Sequence, residues 1–169
     1  MNPEIYANIE TKRLFLKQIN IEEFFKIGTE LFETLDKFTS QRIFSEPNRK
    51  KTLIFSLTNK INIQLVGFIF FKPLITRSEM ECFFVLLPQY TGNGYAIESL
   101  KKAIEFVFLT MAIDTLRAYV EQDNKKGWLV VERSGMKYMG DVIDNKENKK
   151  LMKFSMNKGD FHNIYRHYD

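Results

Sequence analysis

The chain has 169 residues, 44% hydrophobic and 14% aromatic, with 25 Lys and Arg against 21 Asp and Glu and a pI near 9.0. That length and apolar content exclude a disordered or fibrous chain and predict one domain, residues 1–169, with a sizeable core. The net charge of +4 suits a polyanionic ligand but is too even a balance to demand nucleic acid.

In chain order, residues 12–19 alternate, with Leu14, Leu16 and Gln18 on one side and Arg13, Phe15, Lys17 and Ile19 on the other, which predicts a strand covered on both faces. Asn20 before Ile21-Glu22-Glu23 is an N-cap with an acid at the third helical position. Phe24, Phe25, Ile27, Leu31, Phe32 and Leu35 carry that helix to about Lys37, and a second short helical piece is expected over 40–50, interrupted by Pro47. Residues 53–58 and 63–71 flank the turn Asn59-Lys60-Ile61-Asn62 and predict a hairpin, with Gly67 marking a bulge or a close packing point. A third strand, 81–87, enters a glycine turn and then a helix reaching Met111. Another strand is expected at 115–121. Asp123-Asn124-Lys125-Lys126 caps a short helix over 127–134 that Gly135 stops. A second hairpin, 137–143 with 151–156, spans the polar loop 144–150, and 159–169 is expected as a surface extension. This order predicts an α/β (α+β) fold: a mixed, mainly antiparallel central sheet flanked by about four helices.

The glycine turn, Gln89-Tyr90-Thr91-Gly92-Asn93-Gly94, organises the rest. After it Ile97, Leu100, Ala103, Ile104, Val107, Phe108 and Met111 recur at helical spacing, with Glu98, Lys101, Lys102 and Glu105 opposite. The first turn of such a helix has N–H groups without intrahelical partners. Glycines beside them let a ligand approach the main chain closely. The pattern is that of a phosphate seat. An acid at position 98 is favoured by the helix dipole and is read as structural.

Two segments resemble the GCN5-related N-acetyltransferase (GNAT) superfamily. The glycine turn has its Q/R-x-x-G-x-G/A form, and NKKGWLVVERSGM, residues 124–136, is similar to its N-x-x-S-x-x-x-x-E-K-x-G-F stretch. The opening IETKRLFLKQI looks like the ETERLxLRxL start of the RimJ/RimL branch, Val66-Gly67-Phe68-Ile69 like its IGxI strand, and Gly94-Tyr95-Ala96-Ile97-Glu98 like its GYATE. The resemblance covers about residues 9–158.

That resemblance implies the acyl-CoA N-acyltransferase fold, with the strand 81–87 splayed from 115–121 near a bulge. Unpaired amides around Phe84, Val85 and Leu86 would hold the pantetheine arm of acetyl-CoA, and those of Val85 and Leu86 would polarise the thioester carbonyl. The amides of Thr91, Gly92, Asn93, Gly94, Tyr95 and Ala96, behind Gln89, would bind the diphosphate. Asn124 would bond the pantetheine arm, and Trp128 would pack beside the cofactor. Where many members carry a tyrosine as general acid, this chain has Val131, and where the branch often offers a serine it has Gly127. Glu81, Glu121 and Tyr119 are the candidates for proton transfer; none is singled out by spacing.

The expected activity is direct transfer of acetyl from acetyl-CoA to a primary amine of a protein N-terminus or small molecule, in a ternary complex. The alternative is a catalytically weak acyl-CoA-binding module, motivated by the missing Tyr and Ser; a nucleic-acid-binding domain ranks last, without a clustered arginine helix or an RNA-binding aromatic signature. The one cysteine, Cys82, is expected as a small buried strand residue rather than an acyl carrier, and rules out an intrachain disulfide or cysteine-based metal cluster. No metal and no DNA partner are expected, and His162 and His167 read as packing residues. No apolar run approaches membrane-spanning length, and the N-terminus MNPEIYANIETKRL lacks the apolar core of a secretory signal, so a cytoplasmic monomer or homodimer is expected.

Overall fold

The computed structural model describes residues 6–35, 37–44, 51–76 and 78–165. Among these residues eight strands form one sheet: β1 (Asn8–Glu10), β2 (Leu14–Ile19), β3 (Leu53–Asn59), β4 (Leu65–Pro73), β5 (Glu79–Leu86), β6 (Thr115–Glu121), β7 (Lys137–Asp144) and β8 (Lys149–Asn157). Their order across the sheet is β1-β2-β3-β4-β5-β6-β8-β7, and β5 and β6 alone are parallel among the described pairs. The helices are α1 (Ile21–Ile27), α2 (Thr29–Phe32), α3 (Lys37–Phe44), α4 (Tyr95–Thr110), α5 (Lys125–Arg133) and α6 (Lys158–Tyr165). α4 is the crossover that a parallel pair requires. No helix among the described residues is long and apolar enough to cross a membrane.

The sheet separates two cores. On one face Leu100, Ala103, Ile104 and Val107 of α4, all fully buried, meet Leu14, Leu16, Phe55, Leu57, Ile69 and Phe71. On the other, Phe24 of α1 meets Phe68 and Phe70 edge-on, with centroids 4.8 and 5.3 Å away, and Ile43 of α3 and Phe83 of β5 extend the cluster. The strands are buried on both faces where both layers cover them, which is why β3 and β4 read as continuous apolar runs.

The mixed, mainly antiparallel fold stands, and both hairpins form. Four details differ from the expectation. The helix starting at Asn20, whose Oδ1 accepts from the Glu23 amide at 2.8 Å, ends at Ile27 instead of Lys37. Gly28 breaks it: its amide closes α1 on the Phe24 carbonyl at 2.8 Å, and α2 starts anew. The piece expected over 40–50 is α3, ending at Phe44; Pro47 lies outside the described residues. A short β1 precedes the first expected strand. Finally, residues 159–165, the described part of the expected surface extension, lie in a packed helix: Phe161 is buried and stacks on Phe108 at 4.7 Å, and the Tyr165 hydroxyl donates to the Ser134 carbonyl at 2.8 Å. His162 is exposed beside Phe161, and His167 lies outside the described residues.

Candidate active site

β5 and β6 pair only at Glu79↔Thr115, Met80↔Leu116 and Glu81↔Arg117, then part. β5 keeps unbroken register with β4 from Pro73↔Met80 to Gly67↔Leu86, so the parting involves no bulge in β5. The register shift lies one strand away, between Leu57 and Thr58 opposite Gly67, where the sequence predicts a bulge or a close approach. Both are present: a Cβ on Gly67 would lie 2.2 Å from the Val85 carbonyl oxygen, so β5 packs where only glycine fits.

The diverging strands enclose a cleft of about 300 Å³ lined by Cys82, Phe84, Tyr119, Glu121, Asn124 and Val131, among others. The Leu87 amide donates to the Val66 carbonyl at 2.8 Å. Alternation along an antiparallel strand therefore turns the Val85 amide toward β4 as well, and the amides of Phe84 and Leu86 toward the gap. The expectation for the Val85 amide is corrected on this ground.

The C-terminal ends of both strands carry the remaining expected groups. After β5, Pro88–Tyr90 makes a 3-10 turn including the exposed Gln89, and Gly92 and Gly94 follow with φ of 80° and 79°, a region favouring glycine. The Thr91 amide closes this turn on the Pro88 carbonyl at 3.3 Å, so it is engaged rather than open. Among the described hydrogen bonds, none is donated by the amides of Gly92, Asn93, Gly94, Tyr95 or Ala96. Five consecutive N–H groups at the start of a sixteen-residue helix are thus available to an anion.

After β6, Asn124 caps α5, its Oδ1 accepting from the Gly127 amide at 3.1 Å. A Cβ on Gly127 would lie 2.5 Å from Asn124 Nδ2, so a serine there would displace the capping side chain. Val131 is buried against the cleft and Trp128 is half-buried on the core. Neither supplies a hydroxyl; Tyr119 is the one hydroxyl-bearing residue among the described lining residues.

The carboxylates are engaged. Glu81 pairs with Arg42 of α3, whose Nη1 also donates to the Tyr119 carbonyl at 3.0 Å and whose guanidinium lies 4.7 Å from the Phe83 ring centre. Arg42 thereby bridges β5 and β6 where the strands begin to part. Glu121 accepts from Lys149 Nζ at 2.9 Å. Lys72, cross-strand from Glu81, is held below the usual lysine range by burial and then by the charges of Arg42 and Lys146. Burial pushes the Cys82 thiol up to about 12, and the sulfur faces Met136 at 3.9 Å, an environment that disfavours a thiolate nucleophile.

Sequence reasoning does not single out Arg42 or Arg13. Arg13 Nε bonds Glu98 Oε2 at 2.7 Å and Nη1 donates to the Asn93 carbonyl in the glycine turn at 2.9 Å. Its Cζ lies 4.3 Å from the Tyr95 ring centre. Glu98 also accepts from the Thr11 hydroxyl at 2.6 Å and the Arg13 amide at 2.9 Å. Burial raises the Glu98 pKa, but these bonds and the Arg13 charge outweigh it and hold it below the usual carboxylate range. Glu98 is therefore a clamp on Arg13 as well as a favourable first-turn acid. Only the IETKRL segment hints at Arg13, and nothing local to residue 42 signals its partners, since Tyr119 lies 77 residues on.

The family model for the acetyltransferase (GNAT) domain matches residues 10–137. No curated protein matches the chain. Among solved structures, a GNAT-family acetyltransferase from Bacillus anthracis is similar at 18% identity and a TM-score of 0.67, over 90% of this chain and 99% of that one. A point mutant of the spermidine N-acetyltransferase SpeG from Vibrio cholerae gives 13% and 0.68, over 92% and 98%. A Vibrio cholerae protein provisionally named a ribosomal-protein-serine acetyltransferase gives 19% and 0.66, over 93% and 99%. At these identities the structures speak for the fold; the family model, covering most of the length, speaks for descent. The chain is a member of the GNAT acetyltransferase family.

Proposed function

We propose that this acetyltransferase moves the acetyl group of acetyl-CoA directly to a primary amine, with both substrates in the cleft between β5 and β6. The observation that carries the reading is the set of open amides from Gly92 to Ala96 at the end of the strand that borders the cleft. They fit a diphosphate, and the Phe84 and Leu86 amides fit a pantetheine arm laid along β5 and a thioester carbonyl at its end. Asn124 Nδ2 is the remaining donor on the facing strand's side.

Bound there, acetyl-CoA supplies an activated acyl group whose sulfur leaves as a thiolate. A thiol pKa of about 8.5 makes that departure feasible near neutrality without a strong acid. The absence of hydroxyls at Val131 and Gly127 thus removes a contribution of roughly 10²–10⁴-fold at most. Tyr119, the one hydroxyl-bearing residue of the described lining, is the proposed participant in proton transfer. Glu81 and Glu121 hold Arg42 and Lys149, and their role is to shape the cleft. A covalent route through Cys82 is disfavoured by its burial.

The opening IETKRLFLKQI and Gly94-Tyr95-Ala96-Ile97-Glu98 support a place in the RimJ/RimL-like branch, and with it an amine acceptor on a protein N-terminus or a small molecule. The acceptor side is the face of α1 to α3, where Arg42 reaches the cleft. The test is turnover with acetyl-CoA across a panel of peptide N-termini, polyamines and amino sugars, followed by release of free thiol. Thiol release that depends on one amine class is expected, with Tyr119→Phe lowering kcat by about 10²-fold. Coenzyme binding without turnover on any amine would instead identify an acyl-CoA-binding module.

A further inference from the structure

We propose that Arg13 sets the affinity for the diphosphate of acetyl-CoA, by holding the glycine turn in its binding shape; this rests on the acetyl-CoA reading above. Thr91, Gly92, Asn93 and Gly94 are all exposed, so no buried side chain of the turn fixes it. Two glycines in the left-handed region give the segment wide conformational freedom, and amides that must be ordered by the ligand bind it more weakly. The turn's own side-chain bonds are local, the Thr91 hydroxyl donating to the Pro88 carbonyl at 2.9 Å and Asn93 Nδ2 to the Thr91 carbonyl at 3.3 Å, and Arg13 adds an anchor from outside it.

The anchor is built from the core outward. Asn59, buried at the end of β3, donates to the Tyr95 hydroxyl at 3.1 Å. The Tyr95 ring lies against the Arg13 guanidinium. Glu98 takes Arg13 Nε, and is itself fixed by Thr11 and the Arg13 amide. That leaves the two terminal nitrogens directed at the turn: Nη1 holds the Asn93 carbonyl, and Nη2 is the nearest atom to where a Gly94 Cβ would stand, at 3.4 Å. Fixing the Asn93 carbonyl fixes the peptide plane that carries the Gly94 amide, since the peptide unit is planar. A guanidinium at that rim also favours a dianionic ligand. An ordinary exposed ion pair is worth little and has no reason to affect ligand affinity. Arg13 differs because it ends on a backbone carbonyl between the open amides.

The test compares dissociation constants by calorimetry for coenzyme A and for pantetheine, which lacks the diphosphate, in wild type, Arg13→Met, Arg13→Lys and Glu98→Gln. Arg13→Met is expected to weaken coenzyme A by about 10- to 100-fold, the scale of a charge-assisted hydrogen bond, and pantetheine by less than about threefold. Arg13→Lys keeps the charge but cannot hold Glu98 and Asn93 together, and is expected to lose most of the same preference. Glu98→Gln is expected to lower it in the same direction. Equal weakening of both ligands, or no weakening of coenzyme A, overturns the proposal; Arg13→Lys carries the same comparison should Arg13→Met fail to fold. A wild-type protein that binds no coenzyme A contradicts the acetyl-CoA reading itself, before any variant is measured.

Discussion

Single residues around the cleft and the glycine turn take their contacts from partners far away in sequence. Glu98 shows the consequence for pH. Because Thr11, the Arg13 amide and the Arg13 guanidinium together depress its pKa despite burial, Glu98 contributes stability that is present above the unfolded carboxylate value, about 4.3. That contribution is lost as the pH falls from there through the lower folded value. Denaturation of wild type and Glu98→Gln as a function of pH is expected to show wild type more stable near neutrality and the two curves converging below about pH 4. Parallel curves across the acid range would contradict the assignment. At this scale the glycine turn is legible in the sequence because its chemistry is local, six residues at fixed spacing. Arg42, Glu81 and the Tyr119 carbonyl are not, because no spacing rule links α3 to β5 and β6. The Val85 amide escapes sequence reasoning for a related cause: the direction of an N–H depends on which neighbouring strand it pairs with.

Elements are legible wherever one periodicity runs to a clear stop. β6 occupies Thr115–Glu121 as its alternation predicts, and α4 follows its apolar stripe. Two of the four differences come from features that periodicity does not encode. In α1 the apolar spacing continues past Gly28, yet the helix ends there, consistent with the weak helix propensity of glycine. In α6 a short polar segment gives no stripe, and the helix is held by Phe161 on Phe108 and Tyr165 on the end of α5. Gly67 carries the sharpest consequence at this scale. Alanine there would place a methyl 2.2 Å from the Val85 carbonyl oxygen and 2.9 Å from the Leu86 Cα, both backbone atoms that cannot swing aside. Gly67→Ala is expected to cost about 1–3 kcal/mol, the range for overpacking. By displacing β5 it should also weaken coenzyme binding, and a denaturant midpoint together with a coenzyme A titration checks both. An unchanged midpoint would show that β5 has room this structure does not give it.

The whole molecule is a sheet with different tasks on its two faces, joined at one gap. Helices α4, α5 and α6 cover the face where α4 and α5 begin at the C-terminal ends of the parallel pair, and α1 to α3 cover the face from which Arg42 reaches the cleft. The proposed cofactor side can be read from the chain because main-chain donors and small residues at short spacing leave a sequence mark. The acceptor side proposed on the face of α1 to α3 leaves no such mark, since no motif links Arg42 to Glu81 of β5 or to Tyr119 of β6. The proposed seat of acetyl-CoA comprises the open amides of Gly92 to Ala96 and the gap-facing amides of Phe84 and Leu86. The most direct measurement is a titration of the isotopically labelled protein with coenzyme A, following backbone amide resonances. The largest shifts are expected at Gly92, Asn93, Gly94, Tyr95, Ala96, Phe84 and Leu86, with Val85 moving less. Saturable binding that leaves these resonances in place and perturbs another region would contradict the account.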